Sequence, residues 1–190
     1  MQELILSEQQ ILDICETLGK QLTERLRNEE KVPLFLCVMK GAMHFYCDLV
    51  KNVDCLIEED YVQLSSYAGT SRAHEVVIAK DIEPSALEGR TVVIVEDVVD
   101  TGYSMDFLLR HLKERGNPKQ ILLVALLDKK PARKVEVHVD YAGIVMKEAK
   151  FLIGYGLDYY GTERNIPYVY VPSEEEIAEK DAVLKPLIEK

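Results

Sequence analysis

Residues 90–105 read Arg-Thr-Val-Val-Ile-Val-Glu-Asp-Val-Val-Asp-Thr-Gly-Tyr-Ser-Met, and their pattern predicts a strand, an acidic turn and a helix. The apolar run at residues 92–95 is uninterrupted, which is typical of a strand that is buried on both faces of a parallel sheet. We expect this strand to end at two adjacent carboxylates, the acidic pair Glu96 and Asp97. Apolar residues at helical spacing, starting at Met105, predict a helix after the turn.

The turn contains the parts of an anion site. Thr101 and Ser104 supply hydroxyl donors, Gly102 allows the backbone to approach a ligand closely, and a helix N-terminus offers free N–H groups. A third carboxylate, Asp100, precedes them. Ligands of open parallel sheets bind at the carboxyl ends of the strands, which is where this turn should lie. The turn is therefore predicted to hold one phosphate group.

The acidic pair has three interpretations. It could bind a metal and receive phosphate, it could contact a ribose, or it could belong to a solvated loop without function. A third carboxylate beside a phosphate site favours the first two. Because the sequence contains neither G-x-G-x-x-G nor G-x-x-x-x-G-K-[ST], the dinucleotide-binding and P-loop interpretations lack their loop.

Length and composition indicate a single globular domain. The 190 residues suffice for one well-buried core, and 47% hydrophobic and 29% charged residues are ordinary for such a domain. The net charge of −10 argues against a nucleic-acid partner. We see no signal peptide and no apolar run long enough to span a membrane, so we expect no membrane partner and a cytoplasmic location. Four cysteines without metal-ligand spacing are interpreted as reduced, buried thiols: Cys15, Cys37, Cys47 and Cys55.

Strand and helix patterns alternate along the chain. A capping box that begins at Ser7, followed by apolar residues at helical spacing, predicts a helix over residues 8–27. The other predicted elements are strands at 33–39, 61–65, 75–79, 120–127, 135–139 and 168–171, a short helix ending near 50, and a charged helix after a second capping box at Ser173. The alternation favours an α/β fold with a central, mainly parallel sheet flanked by helices and a smaller β-rich appendage.

The strands at 61–65 and 75–79 are predicted to pair as an antiparallel hairpin. The polar, glycine-containing stretch 66–72 between them has two interpretations. It is either an idle hairpin tip or a lid over a site, and composition alone favours the idle tip.

Residues 92–104 resemble the signature of the type I phosphoribosyltransferases, which bind 5-phosphoribosyl-1-pyrophosphate (PRPP). Over most of its length the chain resembles one branch of that family, the hypoxanthine-guanine phosphoribosyltransferases. Residues 39–41 are similar to its pyrophosphate loop, in which the peptide after the lysine is commonly cis. Ser66 and Tyr67 resemble the Ser-Tyr pair of its catalytic lid, which reverses the preference for an idle tip. The other matching parts are the purine-reading loop at 128–131, the base-stacking segment at 150–158 and a pyrophosphate-binding arginine at Arg164.

The resemblance implies a role for each matching residue. Glu96 and Asp97 would hold the ribose hydroxyls, directly or through Mg²⁺, which prefers oxygen ligands. Asp100 would act as the general base near purine N7. The PRPP-binding loop, whose amides and hydroxyls would take the 5′-phosphate, comprises Val99, Asp100, Thr101, Gly102, Tyr103 and Ser104. The pyrophosphate would bind to Lys40, Gly41 and Arg164.

The base would be recognised by a separate set of residues. Lys129 would donate to the 6-oxo group and so select oxopurines over adenine. Phe151 would stack on the purine, and the backbone of Leu152 would read the base edge. Asp158 would coordinate a second Mg²⁺, so that the predicted metal ligands are Asp158 and the acidic pair.

These roles imply Mg²⁺-dependent purine salvage. The enzyme would transfer the 5-phosphoribosyl group from PRPP to N9 of hypoxanthine, and also of guanine, giving IMP or GMP and pyrophosphate. A transferase with another purine preference, such as xanthine, is the enzymatic alternative. The alternative from another class is a regulator of the same fold that binds PRPP or a nucleotide and acts on nucleic acid. The acidic net charge and the presence of Asp100, the lid pair and the purine-reading loop speak against it.

The resemblance also implies an organisation for the chain. Residues 1–190 would form one phosphoribosyltransferase domain, with a core at roughly 30–150 and a hood subdomain from roughly 1–10 and 150–190. The protein would be a homodimer or homotetramer. One position departs from the family, since many members carry lysine or leucine where this chain has Tyr103. We expect only a small effect on PRPP binding, because the position would contribute mainly its backbone N–H.

Overall fold

The computed structural model of the chain describes residues 2–67 and 75–188. Its helices are α1 (Glu8–Leu26), α2 (Met43–Val50), α3 (Pro84–Leu87), α4 (Tyr103–Gly116) and α5 (Glu174–Ile188), with a 3₁₀ turn at Lys130–Ala132. Its strands are β1 (Glu3–Leu6), β2 (Leu34–Met39), β3 (Glu58–Tyr67), β4 (Glu75–Lys80), β5 (Thr91–Val99), β6 (Gln120–Asp128), β7 (Tyr141–Val145) and β8 (Val169–Val171).

Six of the strands form the central sheet, in the order β4-β3-β2-β5-β6-β7. All neighbours are parallel except β3 and β4, which form the predicted antiparallel hairpin. Parallel neighbours cannot be joined by a tight turn, so α2 connects β2 to β3 and α4 connects β5 to β6. The predicted α/β fold with a mainly parallel sheet flanked by helices is confirmed.

The core lies around the central strands. Residues 92–95 of β5 are fully buried, as are Leu34, Phe35 and Leu36 of β2. Helix α1 buries Ile11 and Leu22 against this layer. Burial of each such side chain contributes about 1.5–3 kcal/mol, and truncating one to alanine costs about 2–5 kcal/mol because a cavity remains.

Both predicted capping boxes begin a helix. At α1 the N–H of Gln10 donates to Ser7 Oγ at 3.3 Å, and the Gln10 side chain accepts from the Ser7 N–H at 2.9 Å. At α5 the N–H of Glu176 donates to Ser173 Oγ at 3.2 Å. Because each cap satisfies a donor that the helix leaves unpaired, it fixes where the helix begins.

A second sheet, which the sequence patterns did not predict in full, joins the two ends of the chain. Strand β1 pairs antiparallel with β8, with Leu4 opposite Tyr170. Only β8 was predicted, since the residues of β1 read Glu-Leu-Ile-Leu and show no alternation of apolar and polar side chains. This pairing brings together the segments expected to form the hood, while the division into core and hood remains a prediction.

Strand β5 is longer than predicted. We expected it to end at the acidic pair, but Val98 and Val99 still pair with Leu127 and Asp128 of β6. On its other side, pairing with β2 stops at Val95. The ladder to β6 therefore carries the strand through the acidic pair, which lies just beyond the last residue that pairs with β2.

The strand predicted at 135–139 is absent from the described residues, and β7 follows it at Tyr141–Val145. Val137 is buried, as the alternation predicts, but the backbone of this segment forms its hydrogen bonds outside a sheet. The N–H of Val135 donates to the carbonyl of Thr101 at 3.0 Å, and the carbonyl of Val137 accepts from Arg133 at 2.8 Å. These bonds replace a sheet ladder.

The cysteines agree only in part with the prediction of buried thiols. Cys15 and Cys37 are buried, and burial raises the pKa of each thiol to about 12. Cys55 is half-buried, and Cys47 is exposed on α2, so the prediction is wrong for Cys47. Across residues 2–67 and 75–188, none of the helices is both long and apolar enough to cross a membrane.

Candidate active site

The candidate site lies where the strand order reverses. The chain proceeds outward from β2 through β3 to β4, and later outward from β5 through β6 to β7. Because β2 and β5 are parallel neighbours, their carboxyl ends open at the same edge. Ligands of open α/β sheets bind in the crevice at such a reversal. The loop that begins at Lys40 and the PRPP-binding loop therefore meet there.

The acidic pair lies buried in this crevice. Only 8% of Glu96 and 7% of Asp97 is exposed. Burial and repulsion from Asp97 raise the pKa of Glu96 well above its ordinary value, and burial also raises the pKa of Asp97. The guanidinium of Arg164 opposes the rise at Asp97. A cation or hydroxyl donors placed beside the pair would offset the cost of its buried charge.

The predicted pyrophosphate loop contacts the acidic pair directly. A Cβ atom at Gly41 would overlap the Asp97 carboxylate, so only glycine allows this close approach. The carbonyl of Gly41 lies against Gly156 of the base-stacking segment. A cis peptide joins Met39 to Lys40. The expectation of a cis bond after Lys40 is wrong by one peptide.

Three consecutive carbonyls of the PRPP-binding loop face the β6–β7 loop, residues 129–140. They accept hydrogen bonds as follows: Val99 from the Lys129 N–H at 3.0 Å, Asp100 from Arg133 Nε at 3.1 Å, and Thr101 from the N–H groups of Lys134 and Val135 at 2.8 and 3.0 Å. The C=O and N–H groups of a trans peptide point in opposite directions. The N–H groups of residues 100–102 therefore point away from the β6–β7 loop, which is the arrangement of an anion-binding nest.

Gly102 makes the close approach of the two loops possible. Its φ of 91° lies in the left-handed region, and a Cβ atom there would overlap the carbonyl of Val135. Directly after it, α4 begins at Tyr103, so the helix N-terminus adds its own positive potential. Of the predicted hydroxyl donors, Thr101 and Ser104 both line the same cavity of about 190 Å³, which we call the loop cavity.

Asp100 connects the PRPP-binding loop, to which it belongs, with the purine-reading loop. Its carboxylate oxygen is 2.9 Å from Lys129 Nζ, and 44% of its side chain remains exposed against 10% for the lysine. This ion pair joins Asp100, the predicted general base, to Lys129, the predicted hydrogen-bond donor to the 6-oxo group.

A second cavity of about 250 Å³, which we call the base cavity, opens beside Asp100. Its lining includes Val98 and Leu157, which were not predicted, and most of the predicted base and metal residues. The predicted ones are Asp97, Asp100, Lys129, Phe151, Leu152, Asp158 and Arg164. Half of Phe151 is exposed, and its ring contacts Tyr159 edge-on at 5.9 Å between centroids. Asp158 is 2.6 Å from the Arg164 guanidinium.

A third cavity of about 390 Å³, which we call the pyrophosphate-side cavity, contains Lys40 and Arg164 in its lining. The three cavities share walls. Asp97, Val98 and Asp100 line both the loop cavity and the base cavity, and Arg164 lines both the base cavity and the third. A further cavity of about 350 Å³, lined by Leu4, Tyr168 and Tyr170 among others, contains none of the predicted residues.

The predicted lid lies mostly outside the described residues. Ser66 and Tyr67 form the end of β3, where their backbones pair with Val76 and Glu75 of β4. Residues 68–74, which complete the stretch, are not described. The role of Ser66 and Tyr67 as a lid therefore stays a prediction.

One residue of the site, Arg133, was missed by the sequence analysis. Its guanidinium pairs with Asp128 at 2.5 Å, with 10% and 4% of the two side chains exposed. It also donates to carbonyls of the PRPP-binding loop. An arginine in a polar stretch is normally expected to be exposed to solvent. Its spacing of five residues from Asp128 matches none of the motifs considered above, so the sequence does not indicate that Arg133 is buried.

Among the predicted metal ligands, the acidic pair supplies the oxygen ligands that Mg²⁺ prefers. In residues 2–67 and 75–188, no group of three or more His, Cys, Asp or Glu residues is arranged to hold a metal ion. Mg²⁺ does not need such a cage, because it is usually held by one or two carboxylates, waters and substrate phosphates. The buried acidic pair, whose carboxylates lack a cationic partner within salt-bridge distance among the described residues, fits this chemistry.

Comparison with known proteins agrees with the geometry. The family model for the phosphoribosyl transferase domain matches residues 1–160. A hypoxanthine-guanine phosphoribosyltransferase of Lactococcus lactis is 38% identical over 172 residues, covering 90% of this chain and 91% of that protein. The chain belongs to the hypoxanthine-guanine phosphoribosyltransferase family.

A solved structure and a longer protein are also similar to this chain over most of its length. The crystal structure of a hypoxanthine phosphoribosyltransferase from Staphylococcus aureus superposes with a TM-score of 0.83 at 34% identity, covering 91% of this chain and 92% of that one. The bifunctional protein TilS/HprT of Listeria monocytogenes is 41% identical over 170 residues, or 89% of this chain. This chain spans only 26% of that longer relative.

Proposed function

We propose that this chain transfers the 5-phosphoribosyl group of PRPP to N9 of hypoxanthine, and also of guanine, releasing pyrophosphate. The observation that carries the proposal is the shared wall of Asp97, Val98 and Asp100 between the loop cavity and the base cavity. A ribose whose 5′-phosphate occupies the loop cavity would present C1′ to a purine in the base cavity. Holding two reactants in this way removes much of the entropic cost of their reaction.

Asp100 and Lys129 would prepare the base. The Asp100 carboxylate would accept the proton of the purine near N7 as N9 attacks C1′. Lys129 would donate to the 6-oxo group, a contact that adenine, with its amino group, lacks. Phe151, half exposed towards the base cavity, would stack on the purine face. The Leu152 backbone would read the base edge.

The departing pyrophosphate would be stabilised on the other side of the ribose. Negative charge develops there while the ribose takes on oxocarbenium character. Arg164 and the loop of Lys40 and Gly41 would meet that charge with donors fixed in advance. Bound Mg²⁺, with Glu96, Asp97 and Asp158 as its carboxylate ligands, would neutralise pyrophosphate charge. A lid that includes Ser66 and Tyr67 would keep water from the reaction.

Purified protein incubated with hypoxanthine, PRPP and Mg²⁺ tests the proposal. We expect IMP and pyrophosphate in equal amounts, detected by chromatography and a coupled pyrophosphate assay, and loss of the reaction when EDTA removes Mg²⁺. Failure to form IMP from hypoxanthine, GMP from guanine or XMP from xanthine above background would reject the enzyme proposal and favour a regulator of the same fold. Steady-state kinetics with hypoxanthine, guanine and xanthine would rank the three bases.

The assembly and location of the protein remain part of the proposal. A homodimer or homotetramer is supported by family membership alone, and light scattering of the purified protein would test it. A cytoplasmic location is likewise a proposal, and fractionation of the source cells would test it.

A further inference from the structure

We infer that Arg133 is a positioning residue that holds the PRPP-binding loop with its N–H groups facing the 5′-phosphate. The inference rests on the proposed function and assigns a role in donor binding to a side chain that touches no cavity described above. Arg133 belongs to the β6–β7 loop, on the far side of the PRPP-binding loop from the loop cavity.

The guanidinium of Arg133 uses every one of its nitrogens. Nε donates to the carbonyl of Asp100 at 3.1 Å, and one terminal nitrogen donates to the carbonyl of Val137 at 2.8 Å. The other terminal nitrogen donates to the carbonyl of Val99 at 3.3 Å and to Asp128 Oδ1 at 2.5 Å. A planar, rigid fork with five donors is suited to holding several acceptors at once.

These contacts set the direction of the peptides that would bind phosphate. Arg133 holds the carbonyls of Val99 and Asp100, and their peptides carry the N–H groups of Asp100 and Thr101. Because a trans peptide is planar, fixing the carbonyl on one side fixes the N–H on the other. Without Arg133 the Asp100–Thr101 peptide could rotate, whereas the Val99–Asp100 peptide would keep the hydrogen bond from the Lys129 N–H at 3.0 Å. An anion would then have to order the freed peptide at its own cost.

The pair with Asp128 explains why Arg133 can stay buried. Asp128 is 3% exposed at the end of β6, where its backbone pairs with β5. A buried arginine without its carboxylate would carry an uncompensated charge, and removing one partner of such a pair is strongly destabilising. Replacing both partners by apolar residues removes that penalty. The double replacement therefore separates stability from positioning.

Four variants test the inference. Arg133→Lys keeps the charge for Asp128 but cannot span the carbonyls. Arg133→Met removes all the donors, and the double variant Arg133→Met with Asp128→Leu removes the buried charges as well. Arg110→Lys on α4 is the matched control, since Arg110 is exposed and pairs only with Asp106 among the contacts described.

We expect KM for PRPP to rise tenfold or more in Arg133→Lys and in the double variant, with KM for hypoxanthine within threefold of the wild-type value in Arg133→Lys. Arg110→Lys should leave both constants unchanged. The double variant should melt at a higher temperature than Arg133→Met but bind PRPP no better. If Arg133→Met does not fold, Arg133→Lys and the double variant still carry the comparison.

Unchanged PRPP binding in any folded Arg133 variant would overturn the inference. So would an equal rise in both KM values of Arg133→Lys, because that would indicate general loosening of the structure. Calorimetric titration with PRPP and Mg²⁺ measures donor binding without turnover. A wild-type chain that binds PRPP but makes no nucleotide would reject the proposed function while leaving the role of Arg133 open to the same titration.

Discussion

Lys129 Nζ and an Asp100 carboxylate oxygen are 2.9 Å apart, across the boundary between the purine-reading loop and the PRPP-binding loop. The contact links two residues that lie 29 positions apart in sequence. Because both side chains line the base cavity, a purine bound there as proposed would meet a carboxylate and an ammonium group side by side. Each can be tested separately.

Asp100→Asn should lower kcat by about 10²–10⁴-fold, because the amide cannot accept the purine proton. Affinity for PRPP should stay nearly intact, since the loop backbone and hydroxyls would bind the phosphate. Stopped assays for kcat and titration for PRPP affinity would measure the two effects. Asp106→Asn on α4 removes a comparable ion pair, with Arg110, and should leave kcat unchanged. A parallel loss of PRPP affinity in Asp100→Asn would make Asp100 a binding residue.

Lys129→Met should lower kcat/KM for hypoxanthine by at least tenfold, because the 6-oxo group loses its donor. The ratio of kcat/KM for hypoxanthine over adenine should fall, since the contact that favours an oxopurine is gone. The neighbouring Lys130 is exposed, and Lys130→Met is the control. Competition between the two bases measures the ratio, and an unchanged ratio would assign selectivity elsewhere.

Glu96→Gln should raise stability at alkaline pH in the absence of ligand. The pKa of Glu96 is raised in the folded protein, so the stability linked to its protonated form is present at low pH and lost as pH rises through that pKa. The amide keeps hydrogen bonding without the buried charge. The difference in melting temperature between the variant and the wild type should therefore increase with pH. Each kcal/mol of unfolding free energy that the variant gains should raise its melting temperature by about 2–4 °C.

Calorimetry from pH 5 to 9 would measure the Glu96 effect. Glu114→Gln on the exposed face of α4 is the matched control and should show no such trend. A melting-temperature difference for Glu96→Gln that stays flat with pH would contradict the assignment of the buried charge. The same variant should lose transferase activity, because the ribose hydroxyls and Mg²⁺ lose a carboxylate ligand.

Phe151→Ala should raise KM for hypoxanthine by roughly 5- to 150-fold, because stacking of a base on an aromatic ring contributes about 1–3 kcal/mol. Phe151→Tyr keeps the aromatic face and should stay close to wild type. KM for PRPP should not change in either variant. Equal KM values for hypoxanthine in all three proteins would show that the half-exposed ring does not meet the base.

Tyr103→Lys tests the one departure from the family pattern. The residue begins α4 and is 37% exposed. If it contributes mainly its backbone N–H to the phosphate, KM for PRPP should change only slightly. A fall in KM by two orders of magnitude would show that a cationic side chain is missing from this chain.

Much of the fold could be predicted from local pattern. The uninterrupted apolar run at 92–95 and the capping box at Ser7 identified a buried strand and a helix start, because burial and capping act over a few residues. The alternation at 135–139 predicted a strand that is not formed, since Val137 is buried against the core while its carbonyl accepts a hydrogen bond from Arg133. The periodicity of hydrophobic residues indicates which side chains are buried, but it does not indicate which groups the backbone N–H and C=O bond to.

The sequence by itself determined the α/β fold and a phosphate-type turn next to acidic residues, and its resemblance to a family determined the candidate residues. The tertiary structure decided three things that spacing could not. It carried β5 through the acidic pair by pairing with β6, it placed Gly41 against Asp97, and it buried Arg133 beneath the PRPP-binding loop. All three depend on contacts between segments far apart in the chain, whose distances are set by the order of strands in the sheet.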